Sequence, residues 1–423
     1  MKKYFSKTVA FIFIGAILVL HTGCVKDSCS KTYTYTYYQP IYKTTEEVRA
    51  NIKSNAARAV VNPGKIYVKG NYIFLNEVNK GIHVIDNSNP AAPKNIAFID
   101  LPGNVDIAVK DNIMYADFYT DLVAIDIHDP VNVSVVKFVN NIFPERFYYG
   151  YKVDSAKVIC DWVKKTETVN CDCNNRGNIT AFNGPGVLIN AIDAGFLSSS
   201  SGNGSPVGLS GSLARFALIN NYMYTVSNDS LRVINVSSAA SPVVANAVSL
   251  GWGIETIFPF KDNLFIGSNS GMFIYSVQNP VNPVQLGTFN HARTCDPVIA
   301  DNDIAYVTLH AGTKCSGYSN QLDVLNIANL QSPQLIKSYL LTNPRGLSKD
   351  GSLLFICDGN DGLKIFNAAD THSITLIKQF VLPEANDVIA FNHIALVIAG
   401  DGLYQFDYTD ASAIKLVSKI STE

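Results

Sequence analysis

Apolar and polar side chains alternate in short runs along nearly the whole chain, and one of these runs keeps returning. Gly81-Ile82-His83-Val84-Ile85-Asp86 reappears in altered form as Leu122–Ile127, Leu231–Val236, Met272–Val277, Leu322–Ile327, Leu363–Ala368 and Leu403–Tyr408. A period of two puts alternate side chains on opposite faces of a strand. The Asp, Asn or Ser near the end of each copy can accept a hydrogen bond from backbone amides just ahead of it, which turns the chain. Proline often follows, at Pro90, Pro130, Pro242, Pro280 and Pro333. Upstream of each copy a second apolar strand is introduced by a polar turn: Gly70-Asn71, Asp111-Asn112, Asn220-Asn221, Asp262-Asn263, Asp301-Asn302-Asp303, Asp350-Gly351 or Asn392-His393. Such turns are hairpin signals. Most neighbouring copies open about 41 residues apart, the period of a four-stranded propeller blade. The pattern therefore predicts an all-β chain, a seven-bladed β-propeller of four-stranded antiparallel blades over residues 60–423.

The period breaks most sharply after blade two. The polar turn at Asn220 falls 109 residues after the one at Asp111, which leaves about 68 residues beyond one repeat. They are placed at 144–211, as an insertion between blades two and three. Within it Phe147–Tyr151 is aromatic, Ala156–Trp162 and Thr166–Val169 read as a hairpin turning at Lys164-Lys165, and Leu197–Gly211 is a Ser/Gly-rich passage. No repeated strand follows Cys171-Asp172-Cys173, so seven blades are favoured over eight.

Residues 1–23 stand outside the repeat. Lys2, Lys3 and Lys7 precede an apolar stretch from Val9 to Leu20, the length of a signal-peptide core and short for a membrane span. It ends Leu20-His21-Thr22-Gly23-Cys24, which resembles a bacterial lipobox with His21 where a Leu is usual. That resemblance implies a lipid anchor on Cys24; ordinary secretion with Cys24 as a plain cysteine is the alternative. Val25-Lys26-Asp27 loosely resembles surface-export signals of Bacteroidetes lipoproteins. Residues 24–59 read as an N-terminal tether and packing segment. In it the Thr/Tyr run 32–38 forms either tether or an added edge strand, and Glu46–Arg49 a brief helical turn.

The Leu-x-Val-x-Asp strand followed by a Pro-containing turn resembles the LVIVD-repeat family, extracytoplasmic bacterial proteins likened to β-propellers and mostly without assigned activity. Asp86, Asp126 and Asp407 keep the acid of the motif, whereas Asn235, Ser276, Asn326 and Asn367 replace it. Those substitutions keep a turn acceptor and discard charge, which favours structural caps over ligands.

Charge narrows the function without naming it. The chain has 33 basic and 35 acidic side chains. Loss of the three leader lysines leaves 30 against 35, a balance that fits no nucleic-acid surface. Eight cysteines in an exported chain predict disulfides. Cys160 is expected to pair with Cys171 or Cys173, and Cys295 with Cys315, while Cys29 has no assigned partner and Cys357 reads as a buried thiol. The spacing of Cys160, Cys171 and Cys173 lacks the paired form of zinc sites. Asp358-Gly359-Asn360-Asp361-Gly362 looks like part of a calcium loop but has no Glu at the twelfth position, so it reads as a tight turn. No metal and no cofactor is expected.

In a propeller, the loops leading into the inner strands and those between second and third strands share one face. That face gathers Asn104, Trp252, Glu255, His291, Arg293, Asp296, Arg345, Glu384, Asn386 and Asp387, with Tyr119, His310, Lys314 and Tyr318. An aromatic platform, two guanidinium groups and carboxylates are what a binding site needs, so Trp252, His291, Arg293, Arg345, Glu384 and Asp387 form the predicted ligand-binding set. Hydrolase, metalloprotease and phosphate-binding motifs are absent. The expectation is a monomeric, non-catalytic lipoprotein of the outer membrane, facing the periplasm or the cell surface and binding an envelope protein or a glycan. One alternative is a carbohydrate-active hydrolase or lyase using the same face, with His291 able to abstract a proton; another is a structural scaffold of an envelope assembly.

Overall fold

A computed structural model of the chain describes residues 30–143, 157–172, 209–291, 297–311 and 320–423. These form two units, Met1–Tyr42 with Ile159–Ile192 and Lys43–Val158 with Asp193–Glu423. The second unit is a seven-bladed β-propeller. Each blade carries four antiparallel strands in chain order from the axis outward. Blade one is built from Pro63–Lys69, Tyr72–Glu77, Gly81–Asp86 and Lys94–Asp100. Blade two is built from Ile107–Lys110, Ile113–Phe118, Asp121–Asp126 and Ser134–Val139. Blades three to seven occupy Phe216–Ser249, Ile254–Asn290, Val298–Leu340, Leu347–Phe380 and Asp387–Ser421.

The local chemistry behind each blade is the same. All seven turns between first and second strands contain a residue with a left-handed backbone: Gly70, Asp111, Asn220, Lys261, Asn302, Gly351 and Asn392 with His393. The repeated third strand ends in a side-chain cap seven times over. Asp86, Asp126, Asn235, Asn326, Asn367 and Asp407 each accept the amide two residues on at 2.8–3.0 Å, and Ser276 accepts that of Gln278 at 3.3 Å. Just beyond the cap, the fourth strand of every blade is bulged against the third. The Asp-to-Asn exchanges are thus interchangeable turn acceptors.

The core lies between blades. Phe258, Phe265 and Ile274 of blade four pack with Val298, Tyr306 and Val324 of blade five and Leu347 and Leu354 of blade six. Aliphatic and aromatic surface removed from water at such seams is the main stabilising term. Blade seven meets blade one through Ile389, Leu396 and Leu403 against Ile66, Leu75 and Ile85. The closure also carries polar bonds: Asn87 and Gln405 exchange two amide hydrogen bonds, and Ser418 Oγ donates to Pro90 O at 2.6 Å.

An N-terminal strap reinforces this closure. Thr44 caps the single helical turn Thr45–Arg49 through a capping box with Glu47. Arg49 then pairs with Asp121 and bonds to Asn140 of blade two. Ser54–Ala56 adds a fifth strand to the outer edge of blade one, and Val60 forms a parallel bridge with Thr422. Residues 54–60 thus lend backbone to both sides of the seam.

The first unit overturns one expectation. Lys157–Asp172 is a single uninterrupted strand, with no hairpin at Lys164-Lys165, and it pairs with Ser30–Thr44. Thr34 meets Thr168, Tyr35 donates to Glu167, and Thr36 meets Thr166. The Thr/Tyr run thus finds its partner in the insertion. Eleven residues along one strand separate Cys160 from Cys171 by about 36 Å, far beyond the reach of a disulfide, about 7 Å. Cys160 is a free thiol, its Sγ 3.3 Å from Ile41 O. Cys24, Cys173, Cys295 and Cys315 lie outside the described residues, and so do Arg293, Asp296, Lys314 and Tyr318.

Candidate functional site

The loop-rich face is built over a filled axis. Leu209–Ser210 adds a short strand to the innermost edge of blade one. The chain then crosses the centre before starting blade three. Ser212 Oγ accepts the Leu347 amide of blade six at 2.6 Å, Ala214 O accepts the Ile257 amide of blade four at 2.8 Å, and the Arg215 amide donates to Asp106 of blade two at 2.7 Å. Gly211 lies against Asp387 of blade seven, where a Cβ would overlap Oδ2. A segment touching the inner edges of five blades can only occupy the axis. Residues 211–214 are buried there.

Around this hub the predicted residues divide. Asp387 is 1 % exposed, held between Gly211 and Gly346, each too close to admit a side chain. It belongs to the hub and does not line an open concavity. Arg345 is half-buried and ties three blades together: its Nη1 donates to Asn386 at 3.2 Å, its amide to Cys357 O at 2.7 Å, and its own carbonyl accepts Thr308 Oγ1 at 2.6 Å. Asn104 is fully buried in a relay, accepting from Asn76 and donating to Asp117, each at 2.6 Å. Beside it the Lys65 ammonium, 2 % exposed, pairs with Asp106 at 2.6 Å. Burial pushes the Lys65 ammonium down, and the carboxylate of Asp106 opposes that shift.

Asp358 is likewise consumed by structure. It accepts the amides of Thr342 and Asn343 and pairs with Lys364 at 2.5 Å, so its carboxylate braces a turn. Among the described residues no group of acidic, His and Cys side chains is arranged to hold a metal ion. Cys357 is buried as expected, and burial raises its thiol well above the usual range.

Trp252 is different. Its side chain is 79 % exposed although its backbone is pinned on both sides. Leu250 N donates to Asp229 O at 2.8 Å, Ile254 N to Asn228 O at 3.0 Å, and Gly253 O accepts Asn269 N at 2.8 Å. Gly251 and Gly253 take φ values of +90° and +83°, a conformation that glycine adopts without strain. The indole is thus presented on a loop with a fixed backbone, and none of the described residues packs over it. His291 is half-buried with its amide toward Ser270 O. Glu384 is exposed, its amide held by Asn360 at 3.2 Å.

A repeat of the motif strand carries the comparison with known families. Residues 63–97 match the LVIVD repeat family. The LVIVD match covers blade one as far as the middle of its outer strand. No curated protein matches the chain. Among solved structures, the computationally designed Ika8 protein aligns with a TM-score of 0.51 at 8 % identity, covering 87 % of this chain and 91 % of that one. Saccharomyces cerevisiae Sqt1 gives 0.51 at 8 % identity over 91 % and 88 %. A protein from Lactobacillus plantarum gives 0.50 at 12 % identity over 84 % and 98 %. At such identities the likeness is one of fold.

Two exposed residues of the same face escaped the sequence reading. Leu340 is 87 % and Val381 79 % exposed, at matching positions where the outer strands of blades five and six end. Each is followed by a more buried leucine, Leu341 or Leu382, so nothing in the local pattern separates the outward residue from the inward one.

Proposed function

We propose that the protein is a non-catalytic binding module of the bacterial cell envelope, anchored by lipid on Cys24. It engages an envelope protein or a glycan through the rim of the loop-rich face around Trp252. The observation that carries this reading is an indole almost wholly in water on a backbone held by three hydrogen bonds. A large apolar side chain carried on a fixed backbone needs little backbone ordering on binding and gains its burial there. Leu340 and Val381 extend the apolar character of the same face, and the filled axis directs a partner to this rim instead of into a channel.

The test is binding of the mature chain and its Trp252→Ala variant to envelope-protein and glycan panels. The variant should lose about 2 kcal/mol or more of affinity, as anchor tryptophans do, with the melting transition nearly unchanged because the indole is exposed. Unchanged affinity for every ligand of the wild-type chain would overturn the assignment of the site.

A further inference from the structure

The strap that reinforces the closure lies against a buried histidine. His83, in the third strand of blade one, is fully buried. Its Nε2 lies 2.7 Å from Glu77 Oε2 and its Nδ1 3.2 Å from Asn95 Nδ2. The same Asn95 Nδ2 donates to Arg58 O of the strap at 2.7 Å. A carbonyl can only accept, so the bond to Arg58 fixes which end of the Asn95 amide points inward. Both amide hydrogens are then used, one on the strap and one on the imidazole. Nδ1 of His83 must be the acceptor, and Nε2 carries the hydrogen donated to Glu77.

We propose that His83 is a pH-sensitive latch for the strap: a proton on Nδ1 sets a donor against the Asn95 donor, and the bond from Asn95 to Arg58 is given up. The relief available to the side chain is a flip of the Asn95 amide. That flip would offer Oδ1, which has no partner among the described residues, to the new N–H. It would also place the same oxygen against Arg58 O, exchanging a hydrogen bond for a repulsion. The imidazolium and the docked strap therefore compete for one side chain.

The charged groups facing the imidazole come from two other elements. Glu77, at the end of the second strand, favours the imidazolium. Arg58, on the strap, opposes it; its guanidinium lies 3.4 Å over the Phe98 ring and 3.7 Å from Glu77 Oε1. Phe98, in the outer strand, meets His83 edge-on at 4.8 Å. Burial is the largest influence, and with Arg58 it holds the docked imidazole below its ordinary range despite Glu77. When the strap leaves, Arg58 leaves with it and Asn95 can turn its Oδ1 to Nδ1; both changes move the imidazole up from its docked value, toward its ordinary value of about 6.5, while its burial between strands stays. The released state then binds the proton more tightly than the docked state. Docking is complete above that ordinary value and weakens by up to about tenfold per pH unit as the pH falls toward the docked one.

The experiment is hydrogen exchange of the full mature chain, with protection of the amides in residues 54–60 corrected for intrinsic rates at each pH. Between about pH 7.5 and about pH 5 the strap should lose about tenfold in protection or more, while inner-strand amides stay unchanged. In His83→Gln, which keeps an amide donor for Glu77 and cannot be charged, strap protection should be flat across that range. In Asn95→Asp, which cannot donate to Arg58, it should already be low at the upper pH; this variant also carries the test should the glutamine variant fail to fold. A flat wild-type profile, an undiminished fall in His83→Gln, or wild-type protection in Asn95→Asp would each overturn the latch.

Discussion

At the scale of single residues, the most repeated interaction is the side-chain cap at the end of each third strand. Asn367→Ala removes its acceptor from the Ala369 amide and should cost about 1 kcal/mol, read as a lower denaturant midpoint; Asn367→Asp should be close to neutral. Two of the acidic caps, Asp86 and Asp407, and Asp410 in the turn that follows the latter, where it accepts the Ser412 amide, add a pH dependence. Hydrogen bonds from Ser88, Thr409 and Ser412 hold the carboxyls of Asp86, Asp407 and Asp410 below their ordinary range. A carboxyl more acidic in the folded state contributes fully above its unfolded value, about 4, and its contribution drains away as the pH falls through the folded one. Exchanging all three for Asn should therefore flatten the loss of denaturant midpoint between about pH 5 and about pH 2. These caps were legible in the sequence because the bond spans two residues. Arg345 and Asp387 show the opposite case: their residue types promised ligand contacts, but neighbours from other blades absorb them.

At the scale of elements, the hub and the ribbon were the least legible. The Ser/Gly-rich end of the insertion reads as flexible passage, yet Gly211–Ala214 is buried at the axis. Its glycine is needed because Asp387 occupies the space a Cβ would take. Gly211→Ala should destabilise the fold by about 1–3 kcal/mol through overpacking. A second change, Asp387→Ala, should recover part of that loss, and a double-mutant cycle of denaturant midpoints measures the coupling. Additive losses would show that the two side chains do not compete for one volume. The long strand Lys157–Asp172 carries the complementary lesson. Its Lys164-Lys165 pair looked like a turn, but two lysines can equally stand on opposite sides of an exposed ribbon, and only the Ser30–Thr44 partner, more than a hundred residues away, decides between them.

At the scale of the whole molecule, stability rests on seams between blades, and some of those seams are polar. Lys65 and Asp106 join blades one and two in a buried pair, and Asp106 also holds the hub through the Arg215 amide. Lys65→Ala leaves that carboxylate buried without its cation and should cost about 3–5 kcal/mol. The loss should appear as a lower melting temperature, whereas changes at the exposed rim should leave it unmoved.

By itself the sequence determined the class, the number of blades, the places of their strands and the turn chemistry, because each of these rests on contacts within a few residues or on a period of one blade. Tertiary structure decided what fills the axis, what closes the ring and which loop residues stay open. Those outcomes depend on which distant segments meet. Asp387 and Trp252 both belong to loops on the same face, yet one is sealed between two glycines of other segments and the other stands in water. No local alternation of polar and apolar residues encodes that difference, because burial at a ring's centre is set by the neighbours that converge there.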